Sequence, residues 1–266
     1  MSKKSKQTAV VISQEKLAEG IYDLWIETGL AKEAGAGQFI GVYPKNAATL
    51  LPRPISICEV NEERMALRLV YRVAGKGTTE FSSLKKDDRI EILGILGNGY
   101  RVPELLTGHP EFTEITLYGG GIGIPPMLQL SKELAAAGRK PSVFIGYRDS
   151  NLFLKEDFEK YGTVYVATED GSVGTKGNVL TALKETGVQP SVMMACGPMM
   201  MLLAIKQEAS ERAIPAYISL EEHMACGIGA CLGCVCRTTK KDEHSQVHNA
   251  RICTEGPVFL AEEVEI

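Results

Sequence analysis

Four cysteines near the end of the chain constrain its structure more than any other sequence feature. Cys226, Cys231 and Cys234 follow the spacing C-x4-C-x2-C, and Cys253 follows in a later segment. This spacing is typical of a [2Fe–2S] cluster, because a tight loop brings three thiolates to one side and a later segment supplies the fourth. Glycine tolerates unusual dihedrals and lets N–H groups approach sulfur, and the loop contains three glycines: Gly227, Gly229 and Gly233.

Two alternatives to this ligand set follow from the same region. Cys236, two residues past Cys234, competes with Cys253 for the fourth position, but the plant-type arrangement takes its fourth thiolate from a distal segment, and Cys253 is the distal cysteine. We therefore expect Cys253 to be the fourth ligand. His244 and His248 have a zinc-like spacing, although a structural zinc site usually uses paired C-x2-C motifs and only one such pair is present.

Composition indicates a soluble, modular protein. The chain has 266 residues, enough for two domains or more, with 44% hydrophobic residues and a net charge of −4. This balance gives no basic surplus for nucleic acid, and no apolar run is long enough to cross a bilayer. The basic N-terminus does not read as an export signal. Seven cysteines in such a chain fit a reducing compartment, and we predict a cytoplasmic protein.

Residues 1–102 are predicted to form an antiparallel β-barrel. Short runs rich in β-branched and aromatic residues alternate with turn residues, a pattern typical of barrels and sandwiches. The runs span residues 8–13, 21–26, 39–43, 65–73 and 89–94. Two prolines between residues 100 and 113 mark the end of this domain.

Three stretches of the barrel occur in an informative order. Arg53-Pro54-Ile55-Ser56 comes first, Val70-Tyr71-Arg72 lies on a later strand, and Gly75-Lys76-Gly77-Thr78 opens a short helix that Thr78 or Thr79 can cap. In this order they resemble the FAD contacts of the ferredoxin–NADP reductase-like family. The resemblance implies that the first stretch holds the flavin end and the pyrophosphate and that the second lines the ring and ribityl chain. It also implies that Gly77 and Thr78 bind phosphate through backbone N–H groups.

Residues 111–220 are predicted to form an α/β domain with a parallel sheet, because strand and helix patterns alternate. The strands span 115–118, 143–147, 164–167, 192–196 and 216–220, and the helices 127–137, 153–160, 178–186 and 199–212. Ligands of such sheets bind at the carboxyl ends of the strands. The sequence therefore predicts a nucleotide site at that edge.

Two motifs follow strands of this domain. A glycine run (119–123) follows the first strand, and Cys196-Gly197-Pro198 follows the fourth. Together they resemble the nicotinamide half of the same reductase family. The resemblance implies that Gly121 and Gly123 let NAD(H) lie close and that Cys196 and Gly197 sit beside the nicotinamide. Glu169 and Asp170 end the third strand and are placed to meet the adenosine ribose, and the lack of an obvious Arg/Lys pair for a 2′-phosphate favours NADH.

Residues 221–266 are predicted to form a small [2Fe–2S] module. The order of barrel, nucleotide domain and cysteine-rich tail resembles the electron-transfer subunits of NAD-dependent, heteromeric (class 1B) dihydroorotate dehydrogenases, above all at residues 221–231 and 253–259. The resemblance implies FAD, a [2Fe–2S] cluster and NAD(H). It implies as partner an FMN-containing dihydroorotate dehydrogenase catalytic subunit, in a heterotetramer of two chains of each kind. The implied reaction is dihydroorotate to orotate with NAD⁺ as acceptor, in de novo pyrimidine (UMP) biosynthesis.

Two other classes of protein share some of these features. One is a subunit of a sulfide-dehydrogenase-like or ferredoxin:NADP⁺ oxidoreductase complex, with the same cofactors and another partner. The other is a zinc-stabilised scaffold protein, which would be colourless and would not bind flavin. No Ser/His/Asp triad or pair of carboxylates stands out, so we expect cofactors rather than acid–base side chains to carry the chemistry.

The choice of the fourth cluster ligand is testable by substitution. Cys253→Ser is expected to abolish the cluster, because a serine oxygen replaces a required thiolate, and Cys236→Ser is expected to retain it. Iron content and visible absorption of the anaerobically purified variants measure the outcome. Cluster loss in Cys236→Ser with retention in Cys253→Ser would reverse the assignment.

Overall fold

The computed structural model describes residues 4–46, 48–241 and 246–266. Its N-terminal part is a closed barrel of antiparallel strands in the order β1-β2-β5-β4-β3-β6. The strands are β1 (Ser5–Ala18), β2 (Ile21–Glu27), β3 (Phe39–Tyr43), β4 (Arg53–Asn61), β5 (Ala66–Arg72) and β6 (Arg89–Leu96). A 3-10 turn (Gly29–Glu33) and helix α1 (Lys76–Phe81) lie between them. The barrel predicted from the sequence is confirmed.

A linker helix, α2 (Val102–Gly108), leads into the second domain. It begins with Pro103 in its first turn, where proline is tolerated because the first helical N–H groups have no partner in the helix. The two prolines predict only a break at the end of the barrel, whereas Pro103 lies in the first turn of a helix.

The second domain is an α/β sheet in the order β10-β9-β8-β7-β11-β12-β15. Its strands are β7 (Ile115–Gly120), β8 (Ser142–Tyr147), β9 (Thr163–Thr168), β10 (Thr175–Lys176), β11 (Val192–Cys196) and β12 (Ala216–Ser219). Its helices are α3 (Ile124–Ala136), α4 (Lys155–Glu159), α5 (Val179–Thr186) and α6 (Met199–Arg212). These strands pair in parallel, as predicted. The strand order reverses between β7 and β11, which is where ligands of open α/β sheets bind.

The C-terminal region joins the second domain through its backbone. Strand β15 (Val258–Leu260) pairs antiparallel with β12 and so adds the last strand to the nucleotide sheet. The strands β13 (Val235–Thr238), β14 (Asn249–Arg251) and β16 (Val264–Glu265) form a separate three-stranded sheet. The predicted boundary at residue 220 therefore divides a region that shares one sheet. Across the described residues, no helix is both long and apolar enough to span a membrane.

Helix α3 packs against β4 and ties the two domains together with polar contacts. The N–H of Val60 donates to Gln129 Oε1 at 2.8 Å, and Lys132 Nζ donates to the Val60 carbonyl at 2.8 Å. Glu133 Oε1 accepts from the N–H of Ala36 at 2.8 Å. Because these contacts satisfy backbone groups of one domain with side chains of the other, they fix the angle between the domains.

A buried arginine adds a second connection between the domains. Arg68 of β5 pairs with Asp23 Oδ2 at 2.8 Å, Asp157 Oδ2 at 2.9 Å and Glu59 Oε2 at 3.3 Å. Asp157 belongs to α4, whereas the other two carboxylates belong to the barrel. The Arg68 side chain is only 11% exposed and that of Asp23 only 9%, so Asp23 depends on Arg68 for charge compensation. In contrast, Glu59 also pairs with Lys132, and Asp157 with Lys160.

The structure predicts that Arg68→Ala destabilises the protein by about 3–5 kcal/mol, because it leaves the buried carboxylate of Asp23 unpaired. Lys6→Ala is the matched control, since Lys6 pairs with Glu91 at the surface and such pairs are worth below about 1 kcal/mol. Urea unfolding of both variants measures the difference. A loss for Arg68→Ala no larger than that for Lys6→Ala would contradict the prediction.

Candidate functional site

A cavity of about 460 Å³ lies where the three parts of the chain meet. The barrel lines it with nearly every residue predicted to contact flavin: Arg53, Pro54, Ile55, Ser56, Val70, Tyr71, Arg72 and Thr78. The second domain contributes Ile122 from the glycine turn, and the end of β12 with the segment after it contributes residues 219–224. The cavity thus joins the predicted flavin stretches to the predicted nucleotide edge.

Gly77 lies beside the cavity and allows Arg53 to reach it. A β-carbon at Gly77 would lie 2.7 Å from Arg53 Nε and 3.1 Å from Pro44 Cγ. Arg53 Nη1 donates to the Leu51 carbonyl at 2.6 Å, which holds the guanidinium next to the turn. Glycine at position 77 therefore lets the Arg53 guanidinium lie against the turn, at the mouth of the cavity, where a larger residue would displace it.

Thr78 organises the turn that precedes α1. Its Oγ1 accepts from the N–H groups of Ala74 at 2.8 Å and Gly75 at 3.1 Å, and it donates to the Gly75 carbonyl at 3.0 Å. Gly75, not Thr78 or Thr79, is the N-cap residue. The prediction that Thr78 caps the helix is confirmed in part: Thr78 is the third helical residue, and its hydroxyl accepts the N–H of the N-cap residue Gly75.

The ring of Tyr71 is held inside the barrel. It stacks on Tyr22 with centroids 5.8 Å apart and meets the edge of Phe81 at 6.1 Å. Its hydroxyl donates to Gln14 Oε1 at 2.9 Å. Burial raises the pKa of Tyr71 well above its usual value, so the group stays a neutral phenol.

The two glycine-containing motifs of the second domain are in contact. Strands β7 and β11 are neighbours, with Gly119 opposite Cys196. A β-carbon at Gly123 would lie 2.4 Å from the Cys196 carbonyl oxygen and 2.5 Å from the Gly197 nitrogen. Gly121 has φ +54° and open space beside it. Together these residues leave backbone that no side chain covers at the point where the strand order reverses.

The thiol of Cys196 lies inside the protein. Its side chain is fully buried, and burial raises the pKa of the thiol well above its usual value. It is therefore a neutral thiol that packs within the sheet. What Cys196 presents to the glycine turn is its backbone carbonyl.

Glu221 is a cavity residue that the sequence analysis did not assign. It follows β12 and lines the cavity together with Arg72. Although part of its surface is exposed, desolvation raises the pKa of its carboxyl, and Arg72 opposes that rise. The signal available in the sequence was its place directly after the carboxyl end of a parallel strand.

The four predicted cluster cysteines lie together. Cys226 Sγ accepts from the N–H groups of Ile228 and Cys231, each at 3.4 Å, and Cys231 Sγ accepts from Gly233 at 3.4 Å. Cys253 lies beside Cys234 and Cys226. Such N–H donors around grouped thiols fit an iron–sulfur cluster.

The loop also favours the thiolate form of one ligand. Burial alone would raise the pKa of Cys226, but the N–H groups of Ile228, Cys231 and Ala230 lower it to about 6. Burial and the neighbouring Cys234 raise the pKa of Cys253 to about 12. A positively charged iron bound between these thiols would offset that cost, since metal binding deprotonates its thiol ligands.

Cys236 and His248 lie apart from the four cysteines, and the other histidine, His244, is outside the described residues. Cys236 accepts from the N–H of Ala250 and lines a separate cleft with His248. The ring Nδ1 of His248 lies 3.2 Å from the Thr238 carbonyl, and His244 is not among the described residues. In the described part of the chain, no three Cys, His, Asp or Glu side chains are gathered closely enough to enclose a single metal ion.

The cysteine loop is connected to the cavity. Met224, two residues before Cys226, lines it, as does Pro257, which follows Cys253 in the same turn. Asn98 of the barrel donates to the Thr254 carbonyl at 2.9 Å, and its N–H donates to the Gly256 carbonyl at 2.6 Å. The cysteine group therefore lies between the cavity and the surface.

Comparisons with known proteins agree with this arrangement. The iron–sulfur cluster binding domain of dihydroorotate dehydrogenase B matches residues 221–265. A Listeria welshimeri protein named dihydroorotate dehydrogenase B (NAD(+)), electron transfer subunit, is 41% identical, with 96% of this chain and 97% of the relative covered. A Bacillus cereus protein of the same name is 38% identical, with 97% and 98% covered.

Solved structures share the fold. An NADH-dependent reduced ferredoxin–NADP oxidoreductase, described in work on flavin-based electron bifurcation, is 28% identical with a TM-score of 0.83, covering 97% of this chain and 89% of its own. A ferredoxin NADP⁺ reductase from Neisseria gonorrhoeae with bound FAD and NADP is 15% identical with a TM-score of 0.65, covering 78% and 91%. The second likeness concerns the fold alone.

Proposed function

Because this chain belongs to the family of dihydroorotate dehydrogenase B electron transfer subunits, we propose that it carries electrons between NAD(H) and an FMN-containing dihydroorotate dehydrogenase catalytic subunit. The observation that carries the proposal is the cavity shared by the barrel, the nucleotide edge and the cysteine module. When bound, FAD joins the two-electron chemistry of NAD(H) to the one-electron chemistry of a [2Fe–2S] cluster.

The barrel residues position FAD. Arg53 supplies a cation for the pyrophosphate, and Gly77 and Thr78 shape the turn that offers backbone N–H groups to it. Residues 54–56 and 70–72 line the remaining length of the cavity. The buried phenol of Tyr71, fixed by Gln14, keeps that wall rigid.

The nucleotide edge positions NAD(H). Because Gly123 has no β-carbon, it packs directly on the Cys196–Gly197 peptide, and the nicotinamide can approach the backbone closely there. Ile122 lies between that edge and the cavity. Glu169 and Asp170 are exposed at the end of β9, where carboxylates suit a ribose hydroxyl and repel a 2′-phosphate. This placement supports NADH over NADPH.

The cysteine module passes electrons to the partner. Cys226, Cys231, Cys234 and Cys253 hold the cluster, and Cys231 is exposed. Ile228 and Leu232 beside it are 47% and 63% exposed, which suits burial against another protein. We propose domains at residues 1–102, 111–220 and 221–266, and a heterotetramer of two chains of each kind. All seven cysteines are free, which supports a reducing, cytoplasmic setting in pyrimidine biosynthesis.

A second candidate function is electron transfer to a different partner, such as the catalytic subunit of a ferredoxin:NADP⁺ oxidoreductase or a sulfide-dehydrogenase-like complex. The likeness to the NADH-dependent reduced ferredoxin–NADP oxidoreductase favours it, because that structure covers nearly the whole chain. The two functions share every cofactor site, so they differ only in the protein that meets the cysteine module.

The decisive experiment purifies the chain anaerobically, alone and co-expressed with the dihydroorotate dehydrogenase catalytic subunit of the same organism. The chain alone is expected to contain flavin and iron and to oxidise NADH with an artificial acceptor. Reduction of NAD⁺ by dihydroorotate is expected only in the complex. A stable flavin- and iron-containing chain that neither binds this subunit nor supports that reaction would reject the proposal, and reaction with ferredoxin instead would establish the second candidate.

Gly77→Ala is expected to reduce FAD retention by about tenfold or more, because the new β-carbon displaces Arg53 from the mouth of the cavity. Gly29→Ala is the control, since its β-carbon meets no atom within 4 Å. Flavin released per chain after gel filtration measures the effect. Equal retention in both variants would show that the position of Arg53 does not matter for FAD.

A further inference from the structure

An arginine–glutamate pair bridges the two segments that carry the cluster cysteines. Arg251 Nε contacts both carboxylate oxygens of Glu255, at 3.1 and 3.0 Å, and a second guanidinium nitrogen also binds this carboxylate. The N–H of Arg251 donates to Glu255 Oε2 at 2.5 Å. The pair therefore closes the turn that contains Cys253.

The same arginine reaches the first cysteine segment. Arg251 Nη1 donates to the Gly229 carbonyl at 3.2 Å. Gly229 has φ +84°, and a β-carbon there would lie 2.8 Å from Thr254 Cγ2. On either side of Gly229, the N–H groups of Ile228 and Cys231 donate to Cys226 Sγ. One guanidinium thus anchors the loop that directs N–H groups at a cluster sulfur.

We propose that Arg251 and Glu255 are positioning residues that set the reduction potential of the cluster. Hydrogen bonds to the sulfurs and net charge nearby are the levers by which a protein tunes such a centre. Arg251 anchors the Gly229 carbonyl in the cysteine loop and places a positive charge beside the cysteines, and Glu255 orients the guanidinium and partly cancels that charge. This inference rests on the proposed cluster, and neither residue lines the flavin cavity.

The charges predict shifts of opposite sign. Reduction adds an electron to the cluster, so losing the cation in Arg251→Gln is expected to shift its midpoint potential to lower values. Glu255→Gln unmasks the cation and is expected to shift it to higher values. The double variant is expected to return towards the wild-type value. A purely structural role would lower cluster content without producing shifts of opposite sign.

The experiment is a redox titration of the anaerobically purified full chain, followed by electron paramagnetic resonance, with iron content measured on the same samples. Arg237→Gln is the matched control, because Arg237 is exposed and lies 4.0 Å from Glu265 in the same module. Its cluster is expected to keep the wild-type potential. Reduction of the flavin by NADH is expected to be unchanged in all variants.

Each outcome separates the inference from the proposed function. A wild-type chain without a cluster rejects the proposed function itself. A wild-type cluster whose potential is unchanged in Glu255→Gln, or shifts in the same direction in both single variants, overturns the inference alone. Where Arg251→Gln loses its cluster, the Glu255→Gln shift decides: a higher potential supports the inference, and an unchanged or lower one overturns it.

Discussion

The packing of α3 against β4 is the contact on which the rest of the structure depends. Electron transfer between bound groups requires fixed separations, and the cavity is formed only because the barrel and the nucleotide sheet meet at one angle. Side chains of α3 satisfy backbone groups of Ala36 and Val60, and Arg68 joins carboxylates from both domains. A polar interface of this kind is directional, so it specifies one orientation where apolar packing would tolerate several.

The cysteine module is also fixed to the cavity by polar contacts, and it continues from the cavity to the surface. The turn from Cys253 to Pro257 carries one of the four cysteines, accepts hydrogen bonds from Asn98 and forms part of the cavity wall. A displacement of the barrel relative to this turn would therefore change the flavin environment and the cluster environment together. In space the parts run from the nucleotide edge through the cavity to the cysteines and exposed Cys231, although along the chain the flavin stretches of the barrel come before the nucleotide edge.

The alternation of strands and helices predicted the sheet, and short local patterns predicted which stretches come together. The cysteine spacing, the glycine turn and the Arg-Pro-x-Ser stretch each occupy a few residues, and the structure places all three at or beside one cavity. Sequence reasoning did not find Glu221, Asn98 or the Arg68 network, because those roles arise from contacts between segments far apart in the chain. Strand β15 was missed for the same reason: three residues have too little pattern to reveal which sheet they join.

Strand β15 has a further consequence for how the protein avoids self-association. It occupies the side of β12 that β11 leaves free, so the described nucleotide sheet ends on a short strand followed directly by a 3-10 turn. An uncovered β12 would offer unpaired N–H and C=O groups to a neighbouring molecule. The segment that follows the last cluster cysteine thus also keeps β12 from pairing with a strand of another molecule. A reductase built from the first two domains alone would need another means of shielding that edge.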